Sequence, residues 1–319
     1  MSESKTSYIQ FCETEKLPIH LQAWWLDAVC GPENWEVSLA YDSGQNIIGA
    51  LPYFQKRRWG LPVIQLPPFT SYAGPWLSYP KEPEFKLQSR YAFDKHAFTQ
   101  LIESLPKAAY FVQNFRPEMG NWLPFYWQNF KQSTRYTYTY EPVSDPEKVT
   151  AVMKNTLRSD LKKASKLVYY EIENDNWEVP FELNRLSMLR KSMRQSGNAE
   201  VFHRLHSALR ARGQSVCFVA RDQKTNEPHA ALYLAFDHQQ AGIILSGTDP
   251  KFKSSCAVFG LIEMAINWCG NRNLVLDFEG SMDPKIGHTF RAFGARLRPY
   301  FQVWKAKNKM LELLYQLSR

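Results

Sequence analysis

Asp277, Glu279, His288 and Arg291 fall within one short span, LVLDFEGSMDPKIGHTFRAFGARLRPY (residues 274–300), which combines apolar strand signal, opposite charges and turn-forming residues. Leu274, Val275, Leu276 and Phe278 read as a buried strand, so the carboxylates of Asp277 and Glu279 must meet partners or open into a cleft. Gly280 and Ser281 stop that strand, Asp283 and Pro284 turn the chain, and residues 286–293 read as a short helix closed by Gly294. Folding the helix back on the strand would gather two carboxylates, an imidazole and a guanidinium. Such a set can hold a cation, take up a proton or stabilise negative charge. The same residue types also fit a salt-bridged corner between strand and helix that does no chemistry.

The elements that must position these residues lie in a chain of 319 residues, long enough for two domains. A hydrophobic content of 44% and an aromatic content of 14% exclude a disordered chain. Lys and Arg number 39 against 31 Asp and Glu, a balance that suits an anionic partner such as a nucleotide-linked small molecule, a phosphorylated sugar or an RNA. Cys12, Cys30, Cys217, Cys256 and Cys269 are scattered and form no C-x-x-C pair, so they read as reduced thiols, mostly in the core. The N-terminal residues are polar and lack the apolar segment of a signal peptide. No apolar run approaches the ~20 residues of a membrane span, so a soluble, cytoplasmic protein is expected.

In the first half, residues 7–11 read as a strand and residues 19–29 as a short helix. Residues 35–41, 47–55 and 63–66 read as strands with short links that favour antiparallel pairing, the first link being the hairpin signal Asp42-Ser43-Gly44. The Pro, Gly and aromatic loop at residues 67–76, which carries Tyr72 and Trp76, either lines a pocket or plugs the end of a sheet. A helix at residues 93–105, a strand at 110–115, a short aromatic helix at 122–130 and a Thr/Tyr strand at 134–140 complete this half.

The second half opens with a helix over residues 144–166, capped by Ser144 or Asp145, with Pro146 in its first turn. Met153, Leu157, Leu161 and Ala164 make its apolar stripe. Lys154, Arg158, Lys162 and Lys166 recur every four residues beside it, as a solvated face or as a docking surface for phosphates. A strand at 168–172, helices at 181–195 and 199–212, an antiparallel meander at 216–221, 229–236 and 241–247, and a helix at 258–269 follow. After residues 274–300 come a strand at 301–306 and a helix at 311–317. Both halves run strand, helix, three antiparallel strands, helix, strand, short helix, strand. That repetition predicts a duplicated α+β unit, divided into residues 1–142 and 143–319.

The order of elements resembles that of the GNAT acyltransferase unit, and two such units in tandem resemble the FemAB and FemX aminoacyltransferases and their relatives with a BioF2-like domain. The likeness rests on residues 49–77 of the first unit, on Arg158 with Leu161-Lys162-Lys163-Ala164, on Asp277-Phe278-Glu279-Gly280, and on Phe290-Arg291-Ala292-Phe293-Gly294. It implies two mixed, largely antiparallel sheets flanked by helices. It also implies cytoplasmic transfer of an acyl or aminoacyl group to a primary amine, with acyl-CoA or aminoacyl-tRNA as co-substrate, no covalently bound cofactor, and a cell-wall or glycan precursor as acceptor. By motif position Arg291 takes the place of the family's basic residue. Arg stands where the family has Lys, which keeps the charge but rules out base work.

Under that resemblance Glu279 or Asp277 would hold or deprotonate the ammonium, Arg291 would face the oxyanion and Tyr300 would donate to the leaving group. Ser246, Lys253, Ser281, His288 and Phe290, in or beside these motifs, join Arg158, Lys162, Tyr72 and Trp76 as substrate-contact candidates. GNAT enzymes that bind coenzyme A hold its pyrophosphate on a glycine-rich loop; here the corresponding residues 250–257 contain no glycine, although Lys251 and Lys253 could meet phosphate. The competing expectation is a tandem unit without catalysis that grips an anionic glycan precursor or RNA. His203 and His206 lie three apart with no third ligand, and read as a satisfied surface pair, not a metal site. Nucleotide-binding, kinase, hydrolase and zinc-protease motifs are missing.

Overall fold

The computed structural model describes residues 2–80, 86–193, 195–280 and 282–317, the last four by backbone alone. The chain divides into two compact units: unit 1 comprises Met1–Arg135 with Pro299–Arg319, and unit 2 comprises Tyr136–Arg298.

Unit 1 opens with helix α1 (Glu3–Thr14), where strand was expected at residues 7–11. Five residues of SYIQF suit either period. The Ser2 side chain decides by accepting from the Lys5 amide at the N-terminus, with Glu3 in the first turn. After a 3-10 turn at Ile19–Leu21 come α2 (Ala23–Cys30) and the antiparallel strands β1 (Trp35–Tyr41), β2 (Ile47–Arg58) and β3 (Leu61–Gln65). A short β4 (Trp76–Leu77) pairs with the first half of β2. Helix α3 (Leu87–Glu103) then crosses over to β5 (Tyr110–Asn114), which lies parallel to β3. α4 (Leu123–Trp127) and β6 (Lys131–Tyr140) follow. Ala97, Phe98 and Leu101 of α3 meet Phe111, Phe115, Phe125 and Phe130 in the core. Burial of each of these Leu and Phe side chains contributes about 1.5–3 kcal/mol.

In unit 2 the helix expected over 144–166 is two helices, α5 (Pro146–Val152) and α6 (Asn155–Ala164). Asp145 caps the first. The chain is extended at Met153 and Lys154, and the Lys154 amide donates to the Ala292 carbonyl at 3.0 Å. A tertiary hydrogen bond thus replaces a helical one, while Met153, Leu157 and Ala164 stay buried as the stripe requires. β7 (Val168–Ile172), α7 (Glu178–Arg190), α8 (Ala199–Arg212) and the antiparallel strands β8 (Ser215–Asp222), β9 (Pro228–Phe236) and β10 (Gln240–Thr248) come next. Helix α9 (Ala257–Gly270) crosses over to β11 (Val275–Asp277), parallel to β10, and α10 (Pro284–Ala292) lies beyond it. The chain ends in β12 (Arg296–Ala306) and α11 (Lys309–Leu317).

Both units contain an antiparallel meander followed by a parallel crossover, so the duplicated order is real. The boundary differs from the expected one because two strands change sides. β6 closes the first half of the sequence, yet its end pairs with β11 of unit 2 (Leu276↔Tyr140). β12 closes the second half, yet Gln302 to Ala306 pair with β5 of unit 1. Among the described residues no helix is long and apolar enough to cross a membrane.

Candidate active site

β10 and β11 pair for three residues only, Gln240↔Val275, Ala241↔Leu276 and Gly242↔Asp277. Just beyond, between Ile243 and Leu245, β10 carries a bulge against β9, which bends the strand at the point where its pairing with β11 ends.

At that point Asp277 is only 1% exposed. Its Oδ1 accepts from the Thr137 hydroxyl at 2.5 Å and from the Glu279 amide at 2.7 Å, and its Oδ2 accepts from Gln240 Nε2 at 3.1 Å. This carboxylate holds the corner together. The bond to the amide two residues on is an Asx turn, and it secures Glu279 in the left-handed region (φ 57°), followed by Gly280 (φ 78°). A left-handed glutamate is costly, so a specific device is needed to hold it. Its side chain lies over the backbone of Gly242: a Cβ at that glycine would overlap Glu279 Oε1. The sequence therefore places a carboxylate where β10 leaves β11, and a glycine beneath it to make room.

Arg291 comes from the last turn of α10, whose start is capped by Asp283. Its Nη1 donates to the Tyr138 hydroxyl at 2.7 Å. Tyr138 is also tied to the corner through its carbonyl, which accepts from the Phe278 amide at 3.0 Å. Phe290 packs its ring on Phe278 (4.4 Å) and Tyr138 (5.5 Å), and so braces the helix more than it faces a ligand. The guanidinium is thus held by Tyr138, whose own carbonyl is bonded to Phe278, the residue before Glu279.

The other unit 2 candidates are arranged around this corner less tightly. His288 is exposed, with Nε2 3.5 Å from Lys154 Nζ. Arg158 is half-buried and donates to Asn155 Oδ1 at 2.8 Å, whereas Lys162 is exposed. Of the expected ridge only Arg158 and Lys162 lie on α6; Lys154 precedes it and Lys166 follows it. The Ser246 carbonyl accepts from Asn184 Nδ2 at 2.9 Å. Lys253 is exposed on a 3-10 turn, Pro250–Ser255, that leads into α9. Two amides at the start of α9 are already bonded, Ala257 to Ser255 Oγ (3.3 Å) and Phe259 to the Cys256 carbonyl (3.0 Å). Cys256 sits at a position that often activates a thiol, yet burial and the nearby Asp160 push its pKa up. Ser281 lies outside the described residues.

FemX superposes on the chain with a TM-score of 0.64 at 11% identity, over 98% of this chain and 98% of its own. L-PGS from Bacillus licheniformis does so with a TM-score of 0.55 at 9% identity, over 96% and 94%. A tandem GNAT protein from the clavulanic acid biosynthesis pathway gives 0.50 at 10% identity, over 95% and 94%. The chain has the tandem GNAT fold. No family model matches the sequence, and neither does any curated protein. The likeness is one of architecture, and it covers both units.

Within that fold, three candidates stand in unit 1. Tyr72, 3% exposed, meets Tyr300 edge-on with ring centres 5.3 Å apart. Trp76 meets Phe11 at 5.4 Å and belongs to β4. The loop at residues 67–76 is therefore an aromatic plug of the unit 1 sheet. The histidines expected as a surface pair are not one: His206 is buried and bonded to the Tyr233 hydroxyl at 2.9 Å. Among the described residues no three His, Cys, Asp or Glu side chains form a metal site.

Sequence reasoning missed Thr137, Tyr138, Gln240 and Gly242. The Thr/Tyr alternation over 136–140 was the available signal, since it sends Thr137 and Thr139 to one face and the tyrosines to the other. What it lacked was a partner, because β11 lies some 140 residues further along the chain.

Proposed function

We propose that the chain is a cytoplasmic transferase that moves an acyl or aminoacyl group from an activated donor to a primary amine, with Glu279 and Arg291 as the reacting pair. The observation that carries this reading is the Glu279 carboxylate, held in a strained backbone over Gly242 where β10 and β11 part. A carboxylate fixed in that way suits an ammonium better than an anion.

Glu279 holds the acceptor ammonium and takes one proton from it, and the neutral amine so formed attacks the donor carbonyl. A C–N bond forms, the C–O or C–S bond to the donor breaks, and the second proton lost by the nitrogen leaves with the departing alcohol or thiol. Arg291, its direction set by Tyr138, stabilises the oxyanion of the tetrahedral intermediate. No covalent enzyme intermediate is required. Asp277 acts through Glu279 and is a positioning residue.

The donor is an acyl-CoA or an aminoacyl-tRNA. The bonded amides at the start of α9 weaken the case for a coenzyme A pyrophosphate there and favour aminoacyl-tRNA. Likeness of fold to FemX supports a nucleotide-linked cell-wall or glycan precursor as acceptor, and Arg158, Lys162 and Lys253 are the cations offered to its phosphates.

The test is product formation, read by mass spectrometry, from both donor classes with a panel of primary amines. Wild type should form an amide with one donor class. Glu279→Gln should raise KM for the amine and shift the pH profile. Arg291→Ala should lower turnover while ligand binding stays near normal. The same bonded amides also suit a second reading, a protein that only grips an anionic glycan precursor or RNA. Under that reading wild type yields no product with either donor, and Arg291→Ala loses ligand binding instead.

A further inference from the structure

The hairpin between β2 and β3 ends in a two-residue turn, Trp59-Gly60, with both residues left-handed (φ 51° and 75°). Such a turn favours Asn or Gly at its first position. A tryptophan there is strained, and at 74% exposure it adds nothing to the core. The fold does not need this residue.

Its surroundings are basic. Lys56, Arg57 and Arg58 are exposed on the hairpin, with the Arg58 guanidinium 4.6 Å from the Trp59 ring. The Ala109 amide donates to the Pro62 carbonyl at 2.8 Å, and the Lys307 amide donates to the Ala109 carbonyl at 2.9 Å. These bonds set the hairpin, the start of β5 and the end of β12 side by side, within about 10 Å for two strand spacings. Exposed Lys107, Lys307 and Lys309 therefore join the hairpin cations at one end of the unit 1 sheet. The same segments carry two carboxylates, Glu103 and Glu312, and Glu312 is ion-paired with Lys131. Leu61 on the hairpin, and Met310 and Leu313 on the helix that begins at Lys309, are exposed as well, at 43%, 66% and 56%.

We propose that this end of unit 1 docks on an anionic phospholipid bilayer, with Trp59 set at the headgroup level and the surrounding lysines and arginines facing lipid phosphates. Tryptophan prefers that depth, and cations within a Debye length of one another act together on a charged surface. RNA would satisfy the same cations. It offers nothing to Leu61, Met310 and Leu313, whereas the acyl boundary accepts them.

The test is co-sedimentation of the full chain with phosphatidylcholine vesicles and with vesicles mixing phosphatidylcholine and phosphatidylglycerol, at low and high salt. Wild type should sediment with the mixed vesicles only, less so at high salt. Arg57→Glu with Arg58→Glu should weaken partitioning by about fivefold or more for each cation removed. Trp59→Asn should weaken it severalfold while leaving the melting temperature unchanged or higher, which a structural role for Trp59 would not allow. Failure of wild type to sediment with anionic vesicles, or unchanged binding by both variants, overturns the proposal. So does a result in which the variants lose retention of an RNA oligonucleotide while wild type ignores vesicles.

Discussion

The two parallel crossovers invite direct comparison, because their strands end alike: β5 in Asn114-Phe115-Arg116 and β11 in Asp277-Phe278-Glu279. The Phe115 amide donates to the Phe301 carbonyl at 2.8 Å and the Phe278 amide donates to the Tyr138 carbonyl at 3.0 Å, so β12 and β6 play the same part in each unit. The surroundings then diverge. In unit 1, Asn114 is held by neutral groups: its Nδ2 donates to the Ser71 carbonyl (2.9 Å), its Oδ1 accepts from Gln302 (2.9 Å) and its carbonyl accepts from Ala73 (3.1 Å). The loop at residues 67–76 thereby lies across the strand end, and Arg116 turns away to pair with Glu118. In unit 2 an aspartate replaces the asparagine and props up Glu279, and a tyrosine hydroxyl stands where Phe301 has none, aiming Arg291. One scaffold thus seals its crossover in one copy and presents charges in the other. A handful of side chains makes the difference, together with the left-handed backbone of Glu279 and Gly280, which Arg116 does not share.

Disabling the charged copy should have the largest effect. Arg291→Ala should reduce turnover by about 100-fold or more, the scale of one lost oxyanion donor, while Arg116→Ala, at the unit 1 position that corresponds to Glu279, leaves it unchanged. Steady-state kinetics of both variants checks this, and equal losses would show that the two corners are not functionally distinct. The next effect is on stability. Thr137→Val removes a hydrogen bond to a buried carboxylate and should cost about 1.5–3 kcal/mol, whereas Gln302→Leu, which breaks a neutral amide pair, should cost roughly 1 kcal/mol. Denaturant melts of the two variants measure the gap.

Two glycines sharpen the contrast further. A Cβ at Gly74 would lie 2.6 Å from the Phe115 ring and 2.8 Å from its Cα, and backbone cannot yield, so Gly74→Ala should cost about 1–3 kcal/mol. The nearest atoms to a Cβ at Gly242 are the Glu279 Oε1, Cδ and Cγ, side-chain atoms that can rotate aside where backbone cannot, so Gly242→Ala should melt near the wild-type temperature and still lose turnover. A strongly destabilised Gly242 variant would count against a displaceable carboxylate.

The smallest effect is on pH. Burial, with Arg210 and His203 nearby, lowers the pKa of His206, and burial likewise lowers that of His229 against the pull of Asp222; both lie in unit 2. Their folded pKa values lie below the unfolded value of about 6.5, so the stability they support is present above that pH and is lost as pH falls toward the folded values. Melting temperature should drop between about pH 7.5 and about pH 5.5, and less steeply in His206→Gln. Parallel slopes in the two proteins would remove His206 as the cause.

Much of this architecture could be read along the chain. Period-two alternation marked the strands of both meanders, and the glycine after Arg212 closed α8 as expected, in the left-handed conformation. The break at Met153 was hidden because the apolar stripe continues through it. Residues 7–11 misled because five residues cannot separate two periods when the deciding cap lies outside them. Asp277, Glu279 and Arg291 were visible as charges in an apolar setting, and their roles were not.

Local rules therefore determined by themselves most of the segments that are strands and helices, that the unit occurs twice, and which stretch carries the candidate site, since propensity, capping and hydrophobic period act over a few residues. Only the tertiary structure decided that β6 and β12 change units, that Asp277 is a brace, and that Tyr138 directs Arg291. Those outcomes depend on hydrogen bonds between groups some 140 residues apart. Their partners are chosen by how buried polar atoms find satisfaction in the folded core.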